Sequence, residues 1–175
     1  MKRLRLSVLL TVVMLASVTS TAGPASAEDT DVTADVFGEP LQEFLQSYPE
    51  ARPLGNGSYE LAPGMILSPP GALSDIGIAE YPNCPDHWFC VFQDIEFNGW
   101  STSFFHCQTV TLAAEHRNAI SSMHNAQNSL VAMFWDMDSS IGAKLGPNSW
   151  WRDMTRNQAP DGDNWNDRID EVDPC

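Results

Sequence analysis

Positive charge is scarce in this 175-residue chain: nine Lys and Arg stand against 23 Asp and Glu, a net charge of −14 at pH 7. Three of the nine, Lys2, Arg3 and Arg5, sit in the first five residues, and no acidic residue precedes Glu28. Beyond Ala27, six basic residues face all 23 acidic ones, a net −17 over 148 residues. Nucleic-acid backbones and anionic membrane surfaces need clustered Lys and Arg, so neither is an expected partner. Long apolar runs are also missing. Leu6–Val18 spans 13 residues, short of the roughly 20 that a helix needs to cross a bilayer, and nothing later approaches it. CxxC pairs, HExxH and GxSxG are absent. His87, His106, His116 and His124 are separated by 19, 10 and 8 residues, which matches no compact ligand set. They read as four scattered surface histidines, and no enzyme is expected.

What is present begins with an address. Met1–Arg5 is a positive n-region, Leu6–Val18 an apolar stretch and Ala25-Ser26-Ala27 a small-residue cleavage signal, so residues 1–27 read as a signal peptide. The mature protein is then secreted and extracellular, and its cysteines meet an oxidising compartment. Cys84, Cys90, Cys107 and Cys175 all follow the cleavage signal, and an even count there favours two disulfides. Three connectivities are open. Cys84 and Cys90 enclose only Pro85-Asp86-His87-Trp88-Phe89 and can close as a local staple, in which case Cys107 and Cys175 fasten the last residue to the body. Zinc is the competing use, but the spacing suits no finger.

Composition shifts near residue 83. All six Trp and six of eight Phe lie in 84–175, and all three Tyr lie before it. Residues 28–83 read as an acidic leader or accessory segment with little core of its own, carrying a short helix over 41–48 stopped by Pro49. Gly55-Asn56-Gly57 and Pro63-Gly64 mark turns between extended pieces. Residues 84–175 read as all-β, with Cys90-Val91-Phe92 and Leu130–Trp135 as short runs of β-branched and aromatic residues between Gly, Asn and Asp turns.

That half also contains a repeat. Phe92–Gly99 aligns with Trp135–Gly142, each placing an aromatic seven residues before a glycine, and Asn118–Ser122 aligns with Asp167–Glu171. A tight hairpin calls for a residue with positive φ, which glycine supplies, and the preceding aromatic can pack across it. The unit resembles the βγ-crystallin Greek-key motif, aromatic-x4-aromatic-x-Gly. Phe92, Phe97 and Gly99 satisfy it, whereas Ser140 replaces the second aromatic in the second copy, which predicts a looser hairpin there.

Cys84-Pro85, Phe89–Phe92, the Gly99 hairpin, Phe104–Cys107, Arg117–Ser122 and Asn166–Asp170, in that order, are similar to secreted actinobacterial proteins of peptidase inhibitor family I36. Phe44-Leu45, Tyr48-Pro49 and Gly64–Leu67 resemble the leader of its longer members. The resemblance implies a βγ-crystallin-like sandwich of two Greek-key motifs over 84–175, preceded by a short, partly ordered N-terminal extension. It also implies a monomeric inhibitor of extracellular metalloproteases of the thermolysin type. Trp88 and Phe89, on the loop that a Cys84–Cys90 bridge would staple, are the candidate inhibitory contacts.

No cofactor is required, but calcium is the second hypothesis. Crystallin-type sites carry (Asn/Asp)-(Asn/Asp)-x-x-(Ser/Thr)-Ser, and the resemblance makes Asn118, Ser121, Asp167 and Asp170 the candidate ligands. Arg117 spoils the first copy's first position. A third class treats Trp100, Trp135, Trp150, Trp151 and Trp165 as a stacking platform for cell-wall glycan, with one of the adjacent Trp150 and Trp151 exposed if they lie in a strand.

Overall fold

The computed structural model describes residues 35–72 and 84–175. The expected signal peptide, residues 28–34 of the acidic leader and the connection 73–83 lie outside these described residues. The first key comprises β6 (Phe89–Phe92), β7 (Ser101–Phe104), β8 (Val110–Thr111) and β9 (Ser122–Asn125). The second comprises β10 (Ala132–Asp136), β11 (Ile141–Leu145), β12 (Ser149–Trp151) and β13 (Glu171–Asp173). Each key sends its third strand to the other's sheet. One sheet runs β11-β10-β13-β8, and the other contains β12-β9-β6-β7. The exchange interlocks the two copies, and the result is the two-key, all-β sandwich that the resemblance implies.

Alternation sets what each strand buries. Phe89, Val91, Phe104 and Met123 of one sheet meet Phe134, Leu145 and Val172 of the other, with Ile120, Trp165 and Ile169 filling the ends. Each fully buried side chain of this kind stabilises by about 1.5–3 kcal/mol. The opposite side of β6 is also covered: Cys90 and Phe92 join Cys84, Phe97 and Ala126 in a second, smaller cluster.

Residues 35–68 build onto the same sheet. β3 (Arg52–Gly55), β4 (Ser58–Ala62) and β5 (Met65–Ser68) form a meander whose last strand pairs with β7, from Met65 opposite Phe104 to Ser68 opposite Ser101. The sheet thereby reaches seven strands, and the exposed edge passes to β3, where Pro53 has no N–H to offer another chain. Ahead of it lie a two-residue bridge, β1 (Asp35–Val36) with β2 (Glu39–Pro40), and the helix α1 (Leu41–Gln46), inside the expected 41–48. Six residues are too few for a helix to hold itself in water. Leu41 and Phe44 are fully buried in the main core, and that burial holds α1 in place.

The two repeated glycines have different reasons. Gly99 has φ of 73°, as a tight hairpin asks. Gly142 lies in the strand β11 with no positive φ, and a Cβ there would collide with the Trp135 ring. The sequence-based reason therefore holds for the first copy, while close aromatic packing replaces it in the second. The Ser140 hairpin keeps five consecutive pairs, from Ala132 with Leu145 to Asp136 with Ile141. In the first copy, Glu96 and Phe97 both have left-handed φ, 58° and 60°, a strained pair in non-glycine residues. Ser122 Oγ accepts from the Phe97 N–H at 3.1 Å and donates to the Asp94 carbonyl at 2.6 Å, fixing the fold-over.

Candidate functional site

Strand register brings three connections to one end of the sandwich. Phe89 lies opposite both Phe104 and Asn125, so the chain entering β6, leaving β7 and leaving β9 meets there. The Ala126 N–H donates to the Trp88 carbonyl at 2.9 Å, and the His87 N–H to the Ala126 carbonyl at 3.0 Å. Disulfides close two of the connections. Cys84 is bonded to Cys90 with Cα atoms 5.8 Å apart, and Cys107 to Cys175 with Cα atoms 5.0 Å apart, so no cysteine is free. The third connection is held by buried amides. Asn125 Nδ2 reaches the carbonyls of Leu130 at 2.8 Å and of Leu145 and Gly146 at 3.1 Å, while Gln127 Nε2 donates to the Pro174 carbonyl at 2.7 Å.

Of the two expected inhibitory contacts, Phe89 is corrected. It is 0% exposed, facing the sandwich core from β6, and cannot touch a partner. Trp88 is half-buried, since its ring rests 5.1 Å from that of Phe105 and against the Cys84–Cys90 cluster. Phe105, which sequence reasoning did not single out, is 47% exposed. A signal for it existed: Phe104 and Phe105 are adjacent at a strand end, so alternation sends one inward and the other outward.

The histidines are also corrected. His87 and His106 are exposed, but His116 is fully buried and His124 nearly so. His116 is hydrogen-bonded to Tyr48 at 3.4 Å and Thr102 at 3.2 Å, with the Phe37 ring 4.1 Å away. Desolvation pushes its imidazole down to about 3, so it is neutral. No tryptophan platform forms from the expected set. Trp100 and Trp165 are core residues, and Trp151 packs against Phe134 at 5.2 Å. Trp150 is 44% exposed on the opposite face of β12, as strand alternation requires.

The four expected calcium ligands divide between two places. Ser121 Oγ donates to Asp167 Oδ1 at 3.4 Å, and Asn166 Nδ2 donates to the same carboxylate. Burial raises the Asp167 pKa, the Ser121 hydrogen bond partly offsets it, and the Asp94 charge adds to the rise. Asn166 Oδ1 is buried with no hydrogen-bond partner, so this place offers a further oxygen beside the Asp167 carboxylate. Asp170 lies elsewhere. Its Oδ2 accepts the Met137 N–H at 2.7 Å, and its carboxylate lies within 4.8 Å of those of Asp136 and Asp138. That trio is already served by a cation, because Arg168 Nε bonds Asp136 at 2.8 Å and its terminal nitrogens bond Asp161. Burial opposes ionisation of Asp136, yet the Ser139 amide and Arg168 outweigh it and hold the carboxyl below its ordinary value. Asn118 donates its N–H to the Ile169 carbonyl at 3.1 Å.

A solved structure described as "Evolution of the eye lens beta-gamma-crystallin domain fold" is 19% identical, covers 53% of this chain and 90% of its own, and has a TM-score of 0.42. No curated protein matches. The model of the family described as "Peptidase inhibitor family I36" matches residues 77–140, from before the Cys84–Cys90 loop through the first key and into the second. Residues 77–140 of this chain therefore carry the sequence signature of peptidase inhibitor family I36, on an all-β sandwich of two interlocked keys.

Proposed function

We propose that this protein is a secreted inhibitor of metalloproteases of the thermolysin type, acting through a rigid, disulfide-supported surface. The observation that carries the reading is the family match over the stretch that holds the Cys84–Cys90 loop. Physical chemistry supplies the route. A protein inhibitor binds tightly when its contact loop is already ordered in the bound shape, because ordering cost is removed and release slows. The short Cys84–Cys90 closure, which encloses five residues, fits that requirement with a half-exposed Trp88, and tryptophan is a frequent anchor at interfaces. Oxidised cysteines suit an extracellular protein. Among the described residues no helix is long and apolar enough to cross a membrane.

Calcium enters this proposal as an accessory, not a requirement. Asp167, Ser121 and Asn166 would hold it, and the ion would supply positive charge against the Asp167 carboxylate.

The test is inhibition of thermolysin by the purified mature protein. Cleavage of a peptide substrate blocked at submicromolar concentration supports the reading, and full activity at tens of micromolar overturns it. Trp88→Ala, with its melting temperature measured alongside, is expected to weaken inhibition at least tenfold. Unaltered inhibition would remove Trp88 from the contact.

A further inference from the structure

The exposed Trp150 borders a cleft built jointly by the two keys. It stands on β12, the edge strand of the seven-stranded sheet, and its ring meets that of His124 with centroids 5.9 Å apart at an interplanar angle of 79°. Glu96, from the fold-over of the first key, and Arg152, Asp153, Arg156 and Asn157, from the chain after β12, line a shallow cleft of about 360 Å³ with it. Small-ligand clefts run from roughly 300 to 1,000 Å³. The two contributions are tied together. The Glu96 N–H donates to the Arg152 carbonyl at 2.6 Å, and the Arg152 guanidinium lies over the Phe97 ring, 5.9 Å from its centre. A wall already fixed in this way costs little ordering when a ligand arrives.

Charge selects the ligand. Among the described residues, the cleft is lined by two guanidiniums and two carboxylates, and they pair: Arg152 with Glu96 at 2.6 Å and Arg156 with Asp153 at 2.8 Å. An ionic ligand finds each opposite charge already compensated, and an apolar one would strip water from four ionic groups. Ion pairing does not exhaust their hydrogen bonding, because a guanidinium keeps further N–H donors and a carboxylate further lone pairs. Hydroxyl groups, which donate and accept at once, suit such a mixed wall. The electron-rich face of an indole in turn attracts the C–H groups on the flat side of a sugar ring. We infer that this cleft binds a neutral saccharide chain, one ring stacked on Trp150 and its hydroxyls hydrogen-bonded to Glu96, Arg152 and Arg156. The site stands apart from the inhibitor reading and shares no residue with the Trp88 contact.

The experiment titrates the full mature chain by calorimetry with two neutral probes, cellohexaose and chitohexaose, and with polygalacturonate as the charged comparison. It is repeated with Trp150→Ala, with Trp150→Phe and with Leu54→Ala, an exposed apolar side chain on β3 at the opposite edge of the same sheet. Melting temperatures are recorded for all of them. The expected result is a dissociation constant below about 1 mM for at least one neutral probe. W150A, still folded, should weaken it at least tenfold, W150F should stay within fivefold because it keeps a ring, and L54A within twofold. No wild-type binding of either neutral probe at 5 mM overturns the site. So does binding that W150A leaves unchanged, binding that L54A removes, or tighter binding of polygalacturonate than of both neutral probes. Each of these outcomes leaves the inhibitor reading to its own test against thermolysin.

Discussion

Asn118 and Asp167 occupy equivalent places in the two keys, each with left-handed φ of 53°, and their amides cross. The Asn118 N–H donates to the Ile169 carbonyl and the Asp167 N–H to the Ile120 carbonyl, at 3.1 and 3.0 Å. The duplicated unit is thus joined to its copy by a reciprocal pair of backbone hydrogen bonds. The wider pattern repeats it. The Ser121 N–H donates to the Phe92 carbonyl as the Asp170 N–H does to that of Trp135.

Asparagine tolerates the left-handed region, whereas a β-branched residue pays its full steric cost there. Asn118→Val is expected to lower unfolding free energy by about 1–2 kcal/mol. Asn118→Gly should stay within about 0.5 kcal/mol of wild type, since glycine takes positive φ without penalty. Urea midpoints at unchanged slope measure both. Equal losses in the two variants would show that the Asn118 side chain, not its backbone angle, matters.

His116 makes stability depend on acid. Its folded pKa, about 3, lies below its ordinary 6.5, so below pH 6.5 the unfolded chain takes up a proton that the folded one refuses. Its contribution is intact above pH 6.5 and is lost progressively between there and pH 3, with a slope of up to about 1.4 kcal/mol per unit. Glu39 acts in the opposite sense: desolvation, then Glu115 and Glu43, raise its carboxyl, so its protonation favours the folded state. His116→Gln should flatten the stability profile between pH 6 and 4 by close to one proton, read from urea midpoints. An unchanged slope would exclude His116 as the titrating group.

The two disulfides close loops of very different size, with separations of 6 and 68 residues. Loop-closure entropy then predicts losses of about 2 kcal/mol for Cys84→Ser with Cys90→Ser, and about 4 kcal/mol for Cys107→Ser with Cys175→Ser. At roughly 2–4 °C per kcal/mol, the second pair should melt some degrees below the first. The reverse order would mean that the small staple acts mainly through the native contacts around Trp88.

Calcium should raise the melting temperature of chelated protein, and Asp167→Asn should abolish the rise, because the charge that the ion would neutralise is gone. A melting temperature indifferent to millimolar calcium would remove the ion from the account.

Much of the site's chemistry is local and therefore readable from residues. Cysteine number, the Phe92–Gly99 spacing and the short alternating runs each depend on neighbours within a few positions, and they specified β class, duplication and an even set of bridges. Even the exposure of one of Trp150 and Trp151 followed from alternation. Phe89 shows the limit. A residue beside a disulfide looks like loop from sequence, but pairing with Phe104 and Asn125 makes it the first residue of a central strand. His116 shows it again. Its immediate neighbours Glu115 and Arg117 are charged and suggest a surface turn, whereas Phe37 and Phe44, which cover it, arrive from more than 70 residues away.

By itself the sequence determined a duplicated, acidic, disulfide-bearing β protein, since composition and short-range spacing dictate those properties. Only the tertiary structure decided which aromatics face outward, which key lends its strand to which sheet, and that three connections share one end. Those outcomes depend on strand register, and register is settled by burial between segments far apart in the chain.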